Sequence, residues 1–310
     1  MRFQLAAILT LSASLAHVNA LIPVFPQHSF NNGQEGGNSG NRTLDVDGFD
    51  RPEVGCGNIP DHQQVNKRER SFRRMRQAHR TSGRKPEGVS FSVHWNVVAA
   101  DERPEKGWLE DWQIRKSMEI INEDFAPVGV RFELSGVNYH KNPEWYGRGV
   151  MNDLPFDQQM KPTMHVGDNR MINIFTLGDG PGGKRGFLGY STFPGGDLGQ
   201  DGIILNHNAL YDGNWDGSNL GHVLTHEIGH WLGLYHTFQD GGSCSGAGDQ
   251  VGDTQIHKEA SWKCNSQAPS TCGAKDPVFN YMNYVDDACR REFTQGQIDR
   301  MWDHIELYRS

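Results

Sequence analysis

The spacing of apolar residues predicts several β-strands in the part of the chain that follows residue 85. Residues 89–95 alternate apolar and polar side chains, which is the pattern of a strand with one buried face. The alternation returns at residues 130–134, and residues 171–177 and 202–207 are apolar runs of strand length. Between those two runs, the Gly-rich residues 178–190 are typical of a loop and hairpin.

Three segments are predicted to be helical. The first runs from Trp108 to Phe125 and ends before a proline and a glycine. The second begins with Ser218 as N-cap and continues through Leu234. The third is Thr294–Tyr308, which opens with a capping box of Thr294 and Gln297. Strands with one helix in the first half, and two helices around a long irregular stretch in the second, indicate an α+β fold.

The N-terminus has the pattern of a secretory signal peptide over residues 1–20. Arg2 supplies the positive charge, residues 3–15 are mostly apolar, and small residues end the segment at Ala20. Cleavage is expected after Ala20, or alternatively after Ala16. A buried N-terminal helix is the competing interpretation, but soluble domains rarely begin this way.

Charge is distributed unevenly along the chain. Residues 61–83 contain seven Lys and Arg against Asp61 and Glu69, a local charge of +5. Since the whole chain carries −8, the remainder carries −13. An acidic protein lacks the basic surface of a nucleic-acid binder. No apolar run after the N-terminal segment is long enough to cross a bilayer, so no membrane anchor is expected.

The basic stretch divides the chain into a leading segment, residues 21–83, and a globular domain, residues 84–310. Residues 61–80 lack a clear apolar face, so a solvated, mobile segment is favoured over a basic helix. Residues 80–85 hold two arginines and a lysine and offer cleavage points to trypsin-like proteases.

The five cysteines indicate disulfides in an oxidising compartment. Cys56 stands alone, and the other four lie within 46 residues: Cys244, Cys264, Cys272 and Cys289. Four clustered cysteines in a secreted protein predict two disulfides, with three pairings open. A structural zinc knuckle is rejected because it needs close Cys-x-x-Cys pairs. Cys56 is left over, and Asn41 begins the chain's Asn-X-Thr glycosylation sequon.

The eleven residues HEIGHWLGLYH, at positions 226–236, predict a zinc site. On a helix, His226 and His230 project from the same face and can share one metal ion. Gly233 can end the helix in a left-handed conformation, which would return His236 as a third ligand. Glu227 lies beside the first ligand, within reach of a water in the fourth position. About fifty residues later, Met282 and Tyr284 could supply an apolar floor and a hydroxyl to the site.

This histidine motif followed by a Met-containing turn resembles the metzincin metalloproteases. Closer still, the chain is similar to the pappalysin family, including the secreted fungal extracellular metalloproteases and ulilysin. The supporting stretches are GDQVGDT at 248–254, NYMNYVDDAC at 280–289 and FTQGQ at 293–297. The resemblance covers roughly residues 85–310 and implies a twisted, mostly parallel sheet, with backing and active-site helices above the cleft. Below the cleft it implies an irregular, disulfide-linked half with a C-terminal helix.

The resemblance also implies roles for individual residues. His226, His230 and His236 would bind zinc, with Glu227 as general base and acid. Met282 would be the Met-turn residue, and Tyr284 would stabilise the tetrahedral intermediate. The implied disulfides are Cys244–Cys272 and Cys264–Cys289. Cys56 would be a latency cysteine, whose thiolate occupies the open metal position until the pro-segment, residues 21–83, is removed. An unpaired or intermolecularly bonded thiol is the alternative for Cys56.

Further expectations concern calcium and substrate specificity. Asp249 and Asp253 are candidate calcium ligands, although calcium needs six to eight oxygens and Gln255 departs from the usual family pattern. Asp286 and Asp287 would line the pocket after the scissile bond and favour Arg or Lys, or else cap the turn. Residues 203–205 would pair with an extended substrate.

The sequence therefore predicts a secreted, monomeric zinc endopeptidase that acts on proteins and peptides and is made as a zymogen. Self-cleavage near Arg80 or Arg84 is expected if the preference for basic residues holds. The rival hypotheses are a non-proteolytic zinc-bearing binding module and a zinc hydrolase acting on a non-protein substrate. The presence of Glu227, which has no role in binding the metal, disfavours the binding module.

Overall fold

The computed structural model describes residues 55–79, 88–180, 182, 186–239, 243–263 and 268–310. All of these residues belong to one compact unit, residues 51–310. The predicted signal peptide, Asn41 and Cys264 lie outside the described residues. Within the described ranges, no helix is long and apolar enough to cross a membrane.

A five-stranded sheet forms the centre of the fold. Its strands are β1 (Val89–Ala99), β2 (Val130–Lys141), β3 (Met171–Leu177), β4 (Gly189–Ser191) and β5 (Ile203–Asn206). Their order is β2-β1-β3-β5-β4, and every neighbouring pair is parallel except β4 and β5. The predicted mostly parallel sheet is confirmed.

The helices are α1 (His62–His79), α2 (Asp111–Asp124), α3 (Pro143–Arg148), α4 (Leu154–Met164), α5 (His222–Trp231) and α6 (Gln295–Tyr308). The main core joins the sheet with α2, α5 and α6. A second core packs α4 against the sheet through Phe156, Met160 and Phe175. Because both faces are covered, β3 is buried almost throughout, as is usual in parallel sheets.

The region between α5 and α6 is irregular. Its described parts, residues 232–239, 243–263 and 268–294, contain no helix or strand beyond isolated bridges. A disulfide joins Cys244 to Cys272, the first of the two implied pairs. Cys289 is also disulfide-bonded, but the pairing with Cys264 falls on a residue outside the described ranges. The capping box of Thr294 and Gln297 is present at α6 as predicted.

Helix α5 begins later than predicted, at His222 rather than just after Ser218. The N-cap is Gly221, in a left-handed conformation with φ of 96°. The Asp287 carboxylate accepts hydrogen bonds from the backbone N–H groups of Leu220 and His222, at 3.0 and 3.3 Å. The helix start is therefore stabilised by a residue 65 positions away, which local sequence does not reveal.

The expectation of a mobile segment at residues 61–80 is wrong for the described part, because His62–His79 forms helix α1. Val65 and Phe72 are buried on one face, and Glu69 is buried between them. Glu69 thus occupies a position of the buried helix face where an apolar residue is usual, and it is paired with Arg300. For this reason the pattern of hydrophobic residues did not reveal the buried face of α1. Helices α3 and α4 were not predicted either. In α4 the buried pair of Asp157 and Lys161 conceals the inward face in the same way.

Candidate active site

Three histidines converge where α5 ends. His226 and His230 lie one turn apart on α5, and Gly233, with φ of 95°, turns the chain so that His236 returns to them. The three Nε2 atoms are 3.1, 3.1 and 3.2 Å apart. A tetrahedral zinc ion with Zn–N bonds of about 2.0–2.1 Å needs a separation of about 3.3 Å. The three nitrogens therefore fit one zinc ion.

Hydrogen bonds on the outer side of the rings orient the nitrogens. His226 Nδ1 lies 2.7 Å from the Tyr281 carbonyl oxygen, and His230 Nδ1 lies 2.8 Å from that of Leu234. A carbonyl can only accept, so each Nδ1 carries the proton and each Nε2 offers a lone pair. No proton lies between these two Nε2 atoms, and a cation is needed to hold them together.

Burial keeps the three rings neutral. It lowers the pKa of His230 to about 3 and that of His226 and His236 well below the ordinary histidine value. The mutual proximity of the rings lowers the pKa of His226 and His236 further. Neutral imidazole is the form that binds zinc.

Cys56 completes a four-residue group with the histidines. Its Sγ and the three ring nitrogens all lie within 4.8 Å of one another, and this is the one group of at least three His, Cys, Asp or Glu in the described residues that could hold a metal. The free thiol is buried and donates to Glu227 Oε2 at 3.4 Å. Burial and the neighbouring Glu227 raise its pKa in the absence of a metal. Cysteine sulfur and histidine nitrogen are both zinc ligands, and four such atoms match the tetrahedral coordination of zinc.

Glu227 is fully buried beside the histidines. Its Oε1 atom has no hydrogen-bond partner within the protein, and burial raises the pKa of its carboxyl to about 8. Strand β4 passes close by at Gly189, where a Cβ atom would lie 3.1 Å from Glu227 Oε1. A carboxyl with this pKa can take up and release a proton near neutral pH.

Met282 lies beneath α5. It is fully buried, and a Cβ atom at Gly229 would collide with its sulfur. The Met282 carbonyl accepts a hydrogen bond from Thr237 N, just after the third histidine. The glycine inside the histidine motif is therefore needed for the Met-containing turn to approach the helix.

Tyr284 lies between the histidines and the leading segment. Its ring centroid is 4.9 Å from that of His236 and 5.9 Å from that of His226. The hydroxyl donates to the Cys56 carbonyl oxygen at 2.9 Å. A Cβ atom at Gly55 would collide with the ring of Tyr284, so the position before Cys56 has to be a glycine.

The leading segment runs parallel to the edge strand β4. Gly57 N donates to the Gly189 oxygen at 2.8 Å, and Leu188 N donates to the Gly55 oxygen at 3.0 Å. The prediction that residues 203–205 pair with a substrate is wrong, because β5 is already hydrogen-bonded on both sides, to β3 and to β4. The available edge is β4, and Gly55–Gly57 occupies it.

The two aspartates after Met282 have different surroundings. Asp287 is buried, caps the start of α5, and lies 3.6 Å from the Arg290 guanidinium. Asp286 is half-buried, and a Cβ atom at Gly217 would lie 2.6 Å from its Oδ1. Asp287 therefore acts within the fold, although it caps the start of α5 and not the turn in which it lies.

The candidate calcium ligands are also unequal. Asp253 accepts hydrogen bonds from Thr294 Oγ1 and Gly296 N, both at 2.8 Å, and so holds the start of α6. Asp249 is buried and accepts from Val251 N, but its Oδ2 has no hydrogen-bond partner in the protein. Of the two aspartates, only Asp249 has a carboxylate oxygen without a hydrogen-bond partner in the protein.

Sequence reasoning missed Arg290. It is buried, donates to the Val285 carbonyl at 2.9 Å, and its positive charge lowers the pKa values of Glu227 and His226. For Glu227 this effect is smaller than that of burial. No pattern marked Arg290, because it follows the Met-containing turn among other charged residues.

Comparisons with known proteins agree with this geometry. A peptidase family M43 profile, described as pregnancy-associated plasma protein-A, matches residues 158–306. The chain is 36% identical over 231 residues to an extracellular metalloprotease of Sordaria macrospora, covering 72% of this chain and 76% of that protein. An extracellular metalloprotease of Pyricularia oryzae is 34% identical over 240 residues, covering 75% of this chain and 81% of that protein.

Two solved structures share the fold. Mature mirolysin of Tannerella forsythia, in complex with a cleaved peptide, gives a TM-score of 0.58 at 25% identity, covering 71% of this chain and 96% of that one. A promirolysin mutant gives 0.66 at 23% identity, covering 82% of this chain and 95% of that one. The chain therefore belongs to the M43 (pappalysin) family of metzincins and is a zinc metalloendopeptidase.

Proposed function

We propose that this protein is a secreted endopeptidase, made as a zymogen, in which Glu227 carries the proton transfers. The observation that carries the proposal is the convergence of the Nε2 atoms of three histidines beside a buried carboxyl whose Oε1 has no partner. Secretion is supported by the N-terminal pattern and by relatives named as extracellular metalloproteases.

His226, His230 and His236 would hold the zinc ion. When bound, zinc polarises the scissile carbonyl and acidifies water. Glu227 would take the proton from the attacking water and return it to the leaving amine, acting first as base and then as acid.

Tyr284 would stabilise the oxyanion of the tetrahedral intermediate. In the structure its hydroxyl donates to the Cys56 carbonyl oxygen, so this donor is engaged by the leading segment. Removal of Cys56 releases the hydroxyl next to His226 and His236. A donor held ready for the developing negative charge lowers the barrier without rearrangement.

Latency would rest on Cys56 and its neighbours. The Cys56 sulfur lies where a fourth ligand would stand, and Gly55–Gly57 occupies the β4 edge that an extended substrate would need. The share of this chain covered rises from 71% with mature mirolysin to 82% with promirolysin, which agrees with a pro-segment of similar fold. Removal of the segment would open the metal position and the edge together.

A preference for Arg or Lys after the scissile bond would rest on the negative charge of Asp286 and Asp287, which follow the Met-containing turn. The carboxylate of Asp287 is already matched by the buried Arg290 and by two backbone N–H groups. Cleavage near Arg80 or Arg84 by the enzyme itself depends on the same preference.

Hydrolysis of casein and of Arg-containing peptides by the mature protein tests the proposal. We expect activity that a chelator abolishes and zinc restores, and that Glu227→Ala lowers by at least about 1,000-fold while zinc still binds. A zinc-loaded mature protein without activity would favour a non-proteolytic binding module. Activity unchanged in Glu227→Ala would exclude the assigned proton carrier.

A further inference from the structure

Helix α1 docks on the body through a defined face. Val65, Glu69 and Phe72 repeat at helical spacing and are 4, 6 and 5% exposed, whereas Lys67 and Arg70 point to solvent. The contacts lie mainly against α6, well apart in sequence from the contacts that Cys56 makes. The segment 55–79 is therefore held at two separate places.

The centre of the α1 contact is a buried ion pair. Glu69 Oε1 lies 2.6 Å from Arg300 NH2, and Oε2 lies 3.4 Å from NH1, in the two-point geometry that favours Arg–carboxylate pairs. The Glu69 and Arg300 side chains are 8 and 7% exposed. Arg300 Nε also donates to the Gly233 carbonyl at 2.9 Å, in the turn between the second and third zinc ligands.

Aromatic contacts surround this pair. The Phe72 ring stacks on His304 with centroids 4.0 Å apart and planes at 2°. The Arg68 guanidinium lies 4.1 Å above the Phe193 ring, and Phe193 in turn contacts the His230 ring at 5.4 Å. Stacking and a shielded ion pair together make a contact that resembles the buried centre of a protein interface.

Charge complementarity strengthens the contact at its rim. The leading stretch carries +5 against −13 for the remainder of the chain. Arg76 lies 3.0 Å from Asp303, and Arg73 donates to Gln250 at 3.2 Å. Gln239 also donates to the Pro60 carbonyl, between Cys56 and α1. None of these contacts uses residues 80–87, which connect α1 to β1.

We propose that the surface formed by Arg300, His304 and Phe193 keeps segment 55–79 bound after the chain is cut between α1 and β1. This inference rests on the zymogen in the proposed function. The cut enzyme then stays latent, and the mature form appears only when α1 is displaced or degraded. The exposed surface of the mature enzyme is, by the same contacts, a binding site for the excised segment.

The experiment uses the full chain with a recognition site for a sequence-specific protease in place of residues 81–84. After cutting, gel filtration at micromolar concentration reports whether the fragment stays with the body, and peptide hydrolysis is measured on the same fractions. For the unmodified α1 we expect co-elution and less than about a tenth of the activity of the separated body. Two α1 variants, Glu69→Gln and Phe72→Ala, should release the fragment, and Arg70→Gln is the exposed control.

Breaking a buried ion pair should raise the dissociation constant of the fragment by about 100-fold or more for Glu69→Gln. Raising the salt concentration on the unmodified cut chain gives a second route to release that needs no variant. A fragment that separates from the unmodified body on cutting would overturn the proposal, as would a Glu69→Gln variant that behaves like Arg70→Gln. If the separated, zinc-loaded body is inactive, the proposed peptidase mechanism is wrong. Co-elution of the fragment still shows whether the docking surface holds segment 55–79.

Discussion

The sheet half of the body, residues 88–231, and the loop half, residues 232–294, are ordered by different interactions. In the sheet half, side chains such as Phe91 and Trp95 are fully buried on long paired strands. In the loop half, buried polar side chains form hydrogen bonds with individual backbone groups. Asn283 accepts a hydrogen bond from Ser261 N, and Asp276 accepts one from Thr271 N. The first kind of order follows a repeated pattern, and the second depends on individual contacts.

The metal site lies where the two halves meet. Helix α5 of the sheet half supplies His226 and His230, and the loop half supplies His236 and Met282. A rigid sheet therefore positions the first two ligands, and less regular chain completes the site. Stability and assembly of the site should therefore respond to different substitutions.

The largest effect on stability is expected in the sheet half, from Phe91→Ala. Its ring meets Trp231 of α5 edge-on at 5.2 Å, so the change leaves a cavity between β1 and the zinc helix. We expect a loss of about 3–5 kcal/mol in the free energy of unfolding, measured by denaturant titration. A loss below about 1 kcal/mol would contradict the view that this core determines the stability of the sheet half.

A smaller and more local effect is expected from the double variant Cys244→Ser and Cys272→Ser. The disulfide closes a loop with a sequence separation of 28, so its removal should cost about 2–4 kcal/mol. Hydrogen exchange should increase in the loop half and stay unchanged in β1 and β3. An equal increase in both halves would show that they do not open separately.

The smallest of the three effects, and the one that depends on pH, is expected from Asp249→Asn. Burial raises the pKa of Asp249 to about 7, so the folded state holds this proton more tightly than the unfolded state does. Stability from this group is therefore present below about pH 4 and is lost as the pH rises towards 7. This pKa shift limits the contribution of Asp249 to the free energy of unfolding to about 4 kcal/mol. Because the loop can relax, we expect a contribution of roughly 1–2 kcal/mol.

The free energy of unfolding is measured at pH 5 and at pH 8 for the unmodified protein and for Asp249→Asn. The variant should lose less stability than the unmodified protein over this interval. An equal pH dependence in both would exclude Asp249 as the source. If added calcium stabilises the unmodified protein at pH 8 and not the variant, Asp249 is a calcium ligand, as the sequence predicted.

The sequence predicted those parts that have a repeating pattern or a fixed motif. The central strands and α6 with its capping box are as expected. The structure also brings His226, His230 and His236 together, the three residues that the motif singled out. The start of α5 was missed because Asp287 caps it from far along the chain.

Three helices were missed for a related reason. Helix α1 has Glu69 at a core position and α4 has Asp157 and Lys161, and such charges become buried only because a partner neutralises them. Helix α3, with six residues, is too short to show a period. The edge position of β4 could not be predicted either, since strand order follows from long-range pairing.

Cobalt substitution of the full chain tests whether three histidines and the Cys56 thiolate hold one metal ion, which the pro-segment thereby blocks. We expect one bound Co²⁺ per chain, intense visible bands of a four-coordinate ion, and a near-ultraviolet thiolate-to-cobalt band. In Cys56→Ser the near-ultraviolet band should disappear while cobalt remains bound. Failure of the chain to bind cobalt, or a spectrum identical in Cys56→Ser, would contradict the account.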